Sequence, residues 1–391
     1  MKTIKIILLA AGALFFGAAL NATDYIRQYN DPDSTLWTDD ANWNTPAAPL
    51  NPGGDWIFFD ANTGGAGKTT LLEGGPGFTS LDILRLWVDE GTLIVSNIAV
   101  TSTTNYFQLG SDRNKTYGAY TSELILENNA SFTAKNAYIG DSGGATSTLT
   151  IKDSATFTTS GGTLYVAAKA GATGILNVEK GGTLNASRLH TGSDSDNTVG
   201  ADATVNVLGN FSVSGIIALS DEAGMNTNFN IYGSGKVSLG GDRYIKDGAT
   251  VTFHMQDVSA DKVAKDGEGL PTEFFWARTG GNFIQGDGDW VVDFTGIYID
   301  GTGFEVGSTY LVGLISESTN LKDKFTVLLN GSAVSEGDKV GANWVFEGLT
   351  DNGGNDVFVQ LTYIPEPGTY AAMFGLLALG FAAYRKRQAR K

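Results

Sequence analysis

An apolar-x-apolar triplet recurs along the middle of this 391-residue chain, and it restricts the possible folds more than any other feature. Leu124-Ile125-Leu126, followed by Ala130 and Phe132, returns 25 residues later as Leu149-Thr150-Ile151 with Ala155 and Phe157. After another 27 residues stand Leu176-Asn177-Val178, Gly182 and Leu184. Val205-Asn206-Val207 with Phe211 and Phe229-Asn230-Ile231 with Val237 continue the pattern, and Leu93-Ile94-Val95 with Val100 starts it. Alternating apolar positions among β-formers, closed by Gly, Asn or Asp turns, predict short strands.

A unit of 22 to 31 residues holding two or three short strands is the length of one coil of a parallel β-helix. Coils stacked at about 4.8 Å pair each backbone with those above and below and pile equivalent side chains into ladders. Tyr138-Ile139-Gly140, Tyr165-Val166-Ala167 and Ile217-Ala218-Leu219 occupy similar offsets and predict a second ladder. A sandwich of antiparallel hairpins has similar strand spacing and is the alternative. The predicted fold is all-β: a parallel β-helix over 92–250, preceded by an N-terminal β cap over 23–91. The Trp residues 37, 43 and 56 read as buried cap residues, with glycan-stacking platforms as the alternative. Over 251–362, segments such as Asp289-Trp290-Val291-Val292-Asp293, Phe325-Thr326-Val327-Leu328-Leu329 and Val357-Phe358-Val359-Gln360-Leu361 predict an antiparallel region that caps the coil's open end.

The two ends read as addresses. Lys2 and Lys5 precede an apolar run from Ile6 to Ala19, followed by small residues, which predicts a signal peptide over 1–22 cleaved after Ala22. A retained N-terminal anchor is the alternative, but the run is short for a span. At the other end, over 363–391, Pro365-Glu366-Pro367 forms a stiff linker. It leads into an uncharged stretch ending at Tyr384, and a membrane-spanning helix is expected from Thr369 to Tyr384. Arg385, Lys386 and Arg387 then act as a basic stop that keeps the C-terminus cytoplasmic. A buried helix of a soluble domain is the alternative reading.

This tail, Ile-Pro-Glu-Pro-Gly-Thr-Tyr-Ala followed by an apolar segment and Arg-Lys-Arg, resembles the PEP-CTERM sorting domain of Gram-negative bacteria that make exopolysaccharide. The resemblance covers about residues 363 to 391. It implies recognition by a transpeptidase-like exosortase at or near Pro365, Glu366 and Pro367, with delivery to the cell surface or extracellular matrix. The units Ser147-Thr148-Leu149-Thr150-Ile151 and Gly174-Ile175-Leu176-Asn177-Val178, with the entry segment Leu36 to Asn44, resemble repeats of autotransporter passengers and PEP-CTERM proteins. No outer-membrane barrel sequence follows them, so self-transport is not expected.

Composition narrows the chemistry. Cysteine is absent, so packing and backbone pairing must stabilise an exported chain of this size. Setting aside Lys2, Lys5 and the five basic residues after Tyr384 leaves 19 cations against 42 carboxylates, a net charge of −23 on the exported part. Such a field argues against nucleic-acid partners. Asn62-Thr63-Gly64-Gly65-Ala66-Gly67-Lys68-Thr69 approximates a phosphate-binding loop, but Asn62 replaces the first required Gly and no strand-to-helix context surrounds it. His190 and His254 are the only histidines, and neither sits near a nucleophile-elbow motif. Transition-metal sites are therefore not expected. Calcium is the one cofactor left open: Asp194-Ser195-Asp196-Asn197, Asp287-Gly288-Asp289 and Gly353-Gly354-Asn355-Asp356 place oxygens on turns, but calcium needs about six to eight oxygens and solvated turns are the better reading.

The expected function is that of an exported structural or adhesive surface protein, with no catalytic residues and no metal ligands assigned. Its expected partners are signal peptidase, an exosortase-like enzyme, the inner membrane and extracellular polysaccharide. The alternatives are a polysaccharide lyase or hydrolase on a β-helix, or a glycan- or calcium-binding module.

Overall fold

The computed structural model describes residues 24–28, 36–45, 47–50, 56–59, 67–111, 120–192, 200–221, 224–301, 303–319, 321–353, 355–364 and 367–388. The segment expected to be a signal peptide, with Ala22, and Pro365 and Glu366 lie outside the described residues.

Alternating apolar and polar positions over three short strands, separated by turns, wind the chain into three-sided coils. One coil runs Thr146–Ile151, Thr156–Thr159 and Thr163–Val166, and the next runs Thr173–Val178, Thr183–Ala186 and Arg188–Thr191. We call the sides faces I, II and III in that order. Each strand pairs in parallel with its counterpart one coil away, as Leu149 does with Leu124 below and Leu176 above. Face I is an 11-stranded sheet from Thr69–Glu73 to Ser332–Ala333, and only that last strand pairs antiparallel. A hairpin sandwich would make antiparallel neighbours throughout, so the parallel register excludes it for this region.

The coil interior is built from columns. On face I, Leu93, Leu124, Leu149, Leu176, Val205, Phe229, Val251 and Trp290 follow one another in register, each fully buried. On face II the column is Val100, Phe132, Phe157, Leu184, Phe211, Val237 and Trp276. The rings of Phe132 and Phe157 stack at 5.6 Å with planes 8° apart. No coil could bury its inner face alone, so each depends on its neighbours.

The stack is longer than the repeat legible in the sequence. Parallel pairing begins with Asp24–Ile26 against Trp56–Phe59, before residue 92. It continues past 250, where Asp289–Asp293 pairs in parallel with Ala249–His254 and then with Phe325–Leu329. These last two strands therefore extend face I and do not join the antiparallel cap. The period is hidden because residues 255–275 and 294–324 are inserted between the strands of the final coils. Antiparallel pairing is confined among the described residues to isolated bridges, the pair of Phe325–Leu329 with Ser332–Ala333, and a closing sheet. In that sheet Thr309–Ser316 pairs with Val263–Lys265 and Asp356–Tyr363, which also pairs with Trp344–Asp351.

The second ladder is one residue out of step with expectation. Tyr138 pairs with Tyr165 as foreseen, but Ile217 pairs with Leu189, so it is Ala218 that shares the tyrosines' column. A single-residue shift exchanges inner and outer faces. Ile217 is fully buried and the tyrosines face outward, which fixes the register.

Aromatic residues close the N-terminal end. Trp37 and Trp43 are buried and meet edge to face at 4.9 Å, and the indole of Trp43 donates to the Trp37 carbonyl at 2.9 Å. At the corner between faces II and III a Cβ on Gly241 would overlap the backbone of Gly215, and Gly281, with φ +62°, lies as closely over Gly241. Gly241→Ala is expected to destabilise by about 1–3 kcal/mol, because overpacking here must move backbone. A lowered midpoint in urea unfolding with unchanged slope would register this.

The chain ends in a helix, Pro367–Gln388, which contains the segment Thr369 to Tyr384 expected to span a membrane. Phe374, Leu376, Leu377, Leu379 and Phe381 on it are exposed. Among the described residues no helix meets the length and hydropathy of a membrane span.

Candidate functional surfaces

Because inward positions are committed to the core, any chemistry of the coil lies in its outward columns. Face III carries an aromatic column: Phe58, Trp87, Gln108, Tyr138, Tyr165 and His190 stand in register. Phe58 and Trp87 stack at 4.3 Å, and Tyr138 and Tyr165 at 4.8 Å. Rings stacked along the coil axis cover one another's faces and turn edges outward, so this column rigidifies the coil more than it offers a platform. Arg85 lies over Trp87 at 4.2 Å and Tyr106 at 5.0 Å. Burial pulls its pKa below the ordinary arginine value. Trp56, half-buried on this outer face, is the one of the three N-terminal Trp residues that does not join the core.

The column ends at a charged cluster that single residues in the sequence did not reveal. His190 Nδ1 lies 3.0 Å from Asp221 Oδ2, and the Lys246 ammonium reaches Asp221 Oδ1. The hydrogen bond from His190, with that of Lys246, outweighs burial and draws the Asp221 pKa down from 3.8 to about 2. A carboxylate depressed in the folded state contributes stability above its ordinary pKa and loses it as pH falls through the folded value. Asp221→Asn is therefore expected to lower stability at neutral pH by about 1–2 kcal/mol, since solvent screens part of the interaction. That difference should shrink between pH 4 and about 2. Thermal melts of both proteins across this range check it, and a gap that widened toward acid would contradict the assignment.

Face I carries an amide ladder. Asn206 donates to Asn177 Oδ1 at 2.8 Å, and Asn230 donates to Asn206 Oδ1 at 2.9 Å. His254 closes it, with Nε2 at 3.3 Å from Asn230 Oδ1 and Nδ1 at 3.2 Å from Asp293 Oδ2. Burial holds its pKa below the usual imidazole value. Beside the ladder lies a trough of about 510 Å³ lined by Asn177, Glu179, Lys180, Asn206, Leu208 and Tyr232.

Both histidines thus sit on outward columns with an aspartate partner, 39 residues or fewer apart in sequence from it. Among the described residues no three His, Asp or Glu converge as a metal site would require. Asp287 and Asp289 flank the corner into Asp289–Asp293; residues 194–197 and 354 lie outside the described residues. In the loop that approximates a phosphate-binding motif, Thr69 opens a strand, Thr69–Glu73, where a helix N-terminus would be needed.

The buried ion pair of Arg243 and Glu317 also escaped sequence reasoning. Arg243 occupies the inward column of Leu164, Leu189 and Ile217, and its Nη2 lies 2.7 Å from Glu317 Oε2 with both side chains fully buried. Aligning Arg243-Tyr244-Ile245 on Ile217-Ala218-Leu219 is the signal that would have found it. No family model matches the chain, and neither does any curated protein or solved structure.

Proposed function

We propose that this chain is an exported, surface-targeted structural or adhesive protein, sorted by an exosortase-type route and associated with extracellular matrix or exopolysaccharide. The observation that carries the reading is the uninterrupted parallel stack, in which outward side chains repeat in register along one axis. A rigid rod bearing the same kinds of contact coil after coil engages an extended polymer at many weak points, and linked contacts multiply affinity.

The tail supports the sorting half of the proposal. Signal peptidase acts after Ala22, the helix from Thr369 to Tyr384 holds the chain in the inner membrane, and Arg385, Lys386 and Arg387 stop its transfer. Apolar side chains exposed along this helix suit a lipid environment. The exosortase then acts near Pro365, Glu366 and Pro367, so the membrane helix is a temporary handle. Mass spectrometry of the mature protein from cells that possess an exosortase is expected to find it ending at this tripeptide. A mature chain still carrying residues beyond Tyr384 would overturn the processing step. Retention of the chain on matrix polysaccharide from the same cells tests the adhesive half, and free elution would overturn it.

A further inference from the structure

Face II differs from face III, whose outward column is aromatic, and from face I, where Ile175 interrupts one outward column and the other is tied into the amide ladder. Ser131, Thr156, Thr183 and Asn210 follow one another in one column. Thr133, Thr158, Asn185 and Ser212 follow in the other. Every side chain is short, uncharged and able to hydrogen-bond, in a chain with 42 carboxylates. Along the columns charge returns at Asp82, beyond Thr101 below Thr133, and at Lys236 above Asn210, and along the strands at Lys135, at the edge of the face. All eight are half-buried or exposed.

These groups are also unused. The amides of face I are tied into a mutual chain, whereas none of the eight side chains on face II hydrogen-bonds another described residue. Their backing is rigid: beneath them runs the column Phe132, Phe157, Leu184 and Phe211, and the pairing between these strands has no bulge. The β-branched threonines are restricted in χ1, so little rotamer freedom remains to be lost on binding.

We infer that face II is an ice-binding surface. Parallel pairing without a bulge sets the groups about 4.8 Å apart along the axis and about 6.7 Å apart along each strand, a grid regular in two dimensions. Short side chains cannot wrap around a soluble ligand, the absence of charge gives no hold on an ion or a polyelectrolyte, and a single glycan chain is periodic in one direction only. A water lattice is uncharged, flat and periodic in both directions, and hydroxyl and amide groups at fixed spacing can hold its outermost waters as shared hydrogen-bond partners. Threonine methyl groups between them leave fewer competing water arrangements.

The test is partition of the full chain into ice grown slowly on a cooled surface. Enrichment in the ice over an inert protein of similar size is expected. The double variant Thr158→Lys, Asn185→Lys should lose most of that enrichment, while Thr204→Lys on face I should keep it. Circular dichroism and melting temperature verify that each variant remains folded. Exclusion of the full chain from ice, or equal loss in the face I variant, would overturn the proposal. Retention on a neutral polysaccharide that depends on Thr158 and Asn185, without ice enrichment, would also overturn it and assign the face to a glycan.

Discussion

Glu317→Ala is expected to destabilise the protein by about 3–5 kcal/mol, because it leaves a guanidinium charge unneutralised inside the coil. The carboxylate accepts from Arg243 Nη2 at 2.7 Å, from the Trp276 indole at 2.8 Å and from the Ser318 amide at 3.0 Å. Arg243 also donates to the carbonyls of Gly241 and Gly280. Taking both ions out of water is costly, and their attraction offsets that cost only while both are present. The double variant Arg243→Met, Glu317→Leu should therefore recover part of the loss. Recovery stays partial because the Trp276 indole N–H, the Ser318 amide and the carbonyls of Gly241 and Gly280 lose their partners in this pair. Urea unfolding of the parent, single and double variants decides this: a double variant no more stable than Glu317→Ala would contradict it. The pair joins the body of the coil to the segment after Thr309–Ser316, and we expect it to set where that strand docks.

Phe157→Ala should cost a similar amount, about 3–5 kcal/mol, for a different reason. Phe157 is fully buried in the middle of the face II column, 5.6 Å from Phe132 and 6.0 Å from Phe107. Truncation opens a cavity that the stacked backbones cannot close, since the coil spacing is set by hydrogen bonds on all three faces. In a one-dimensional stack each coil is stabilised through its neighbours, so weakening a central one uncouples the two halves. Calorimetry should show a broadened or split transition in place of one. Thr156→Ala, the outward neighbour, should stay within about 0.5 kcal/mol of the parent. A sharp single transition for Phe157→Ala with an unchanged midpoint would refute the column's role.

These two sites differ in how far they could be read from the chain. Phe157 was legible because Phe132, Phe157 and Leu184 recur at the same offset from an apolar triplet, and parallel stacking converts equal offset into contact. Arg243 was not, because an arginine in isolation reads as a surface residue. Only alignment with Leu189 and Ile217 turns it inward, and its partner lies 74 residues away. The His190 and Asp221 cluster was hidden in the same way, since 31 residues separate the partners. Trp276 and Trp290 belong to the columns of Val100 and Leu93, yet the inserted residues 255–275 removed the spacing that would have announced them. Equal offset sets Ile217 one residue out of step because Tyr165 and Ile217 are both β-formers, and only burial distinguishes an outward tyrosine from an inward isoleucine.

The all-β class, the coil period, the composition of the central apolar columns and an acidic, cysteine-free body are legible in the chain alone. Each follows from local alternation and from repetition, which any stretch of chain displays alone. Tertiary structure decided the length of the stack, the parallel direction of Asp289–Asp293 and Phe325–Leu329, and the burial of Arg243 with Glu317. It also decided which polar groups remain unused. Asn177, Asn206 and Asn230 consume one another's amides while Thr158 and Asn185 face outward free, a distinction that exists only once residues some 25 positions apart are brought into register at the spacing of a β-sheet.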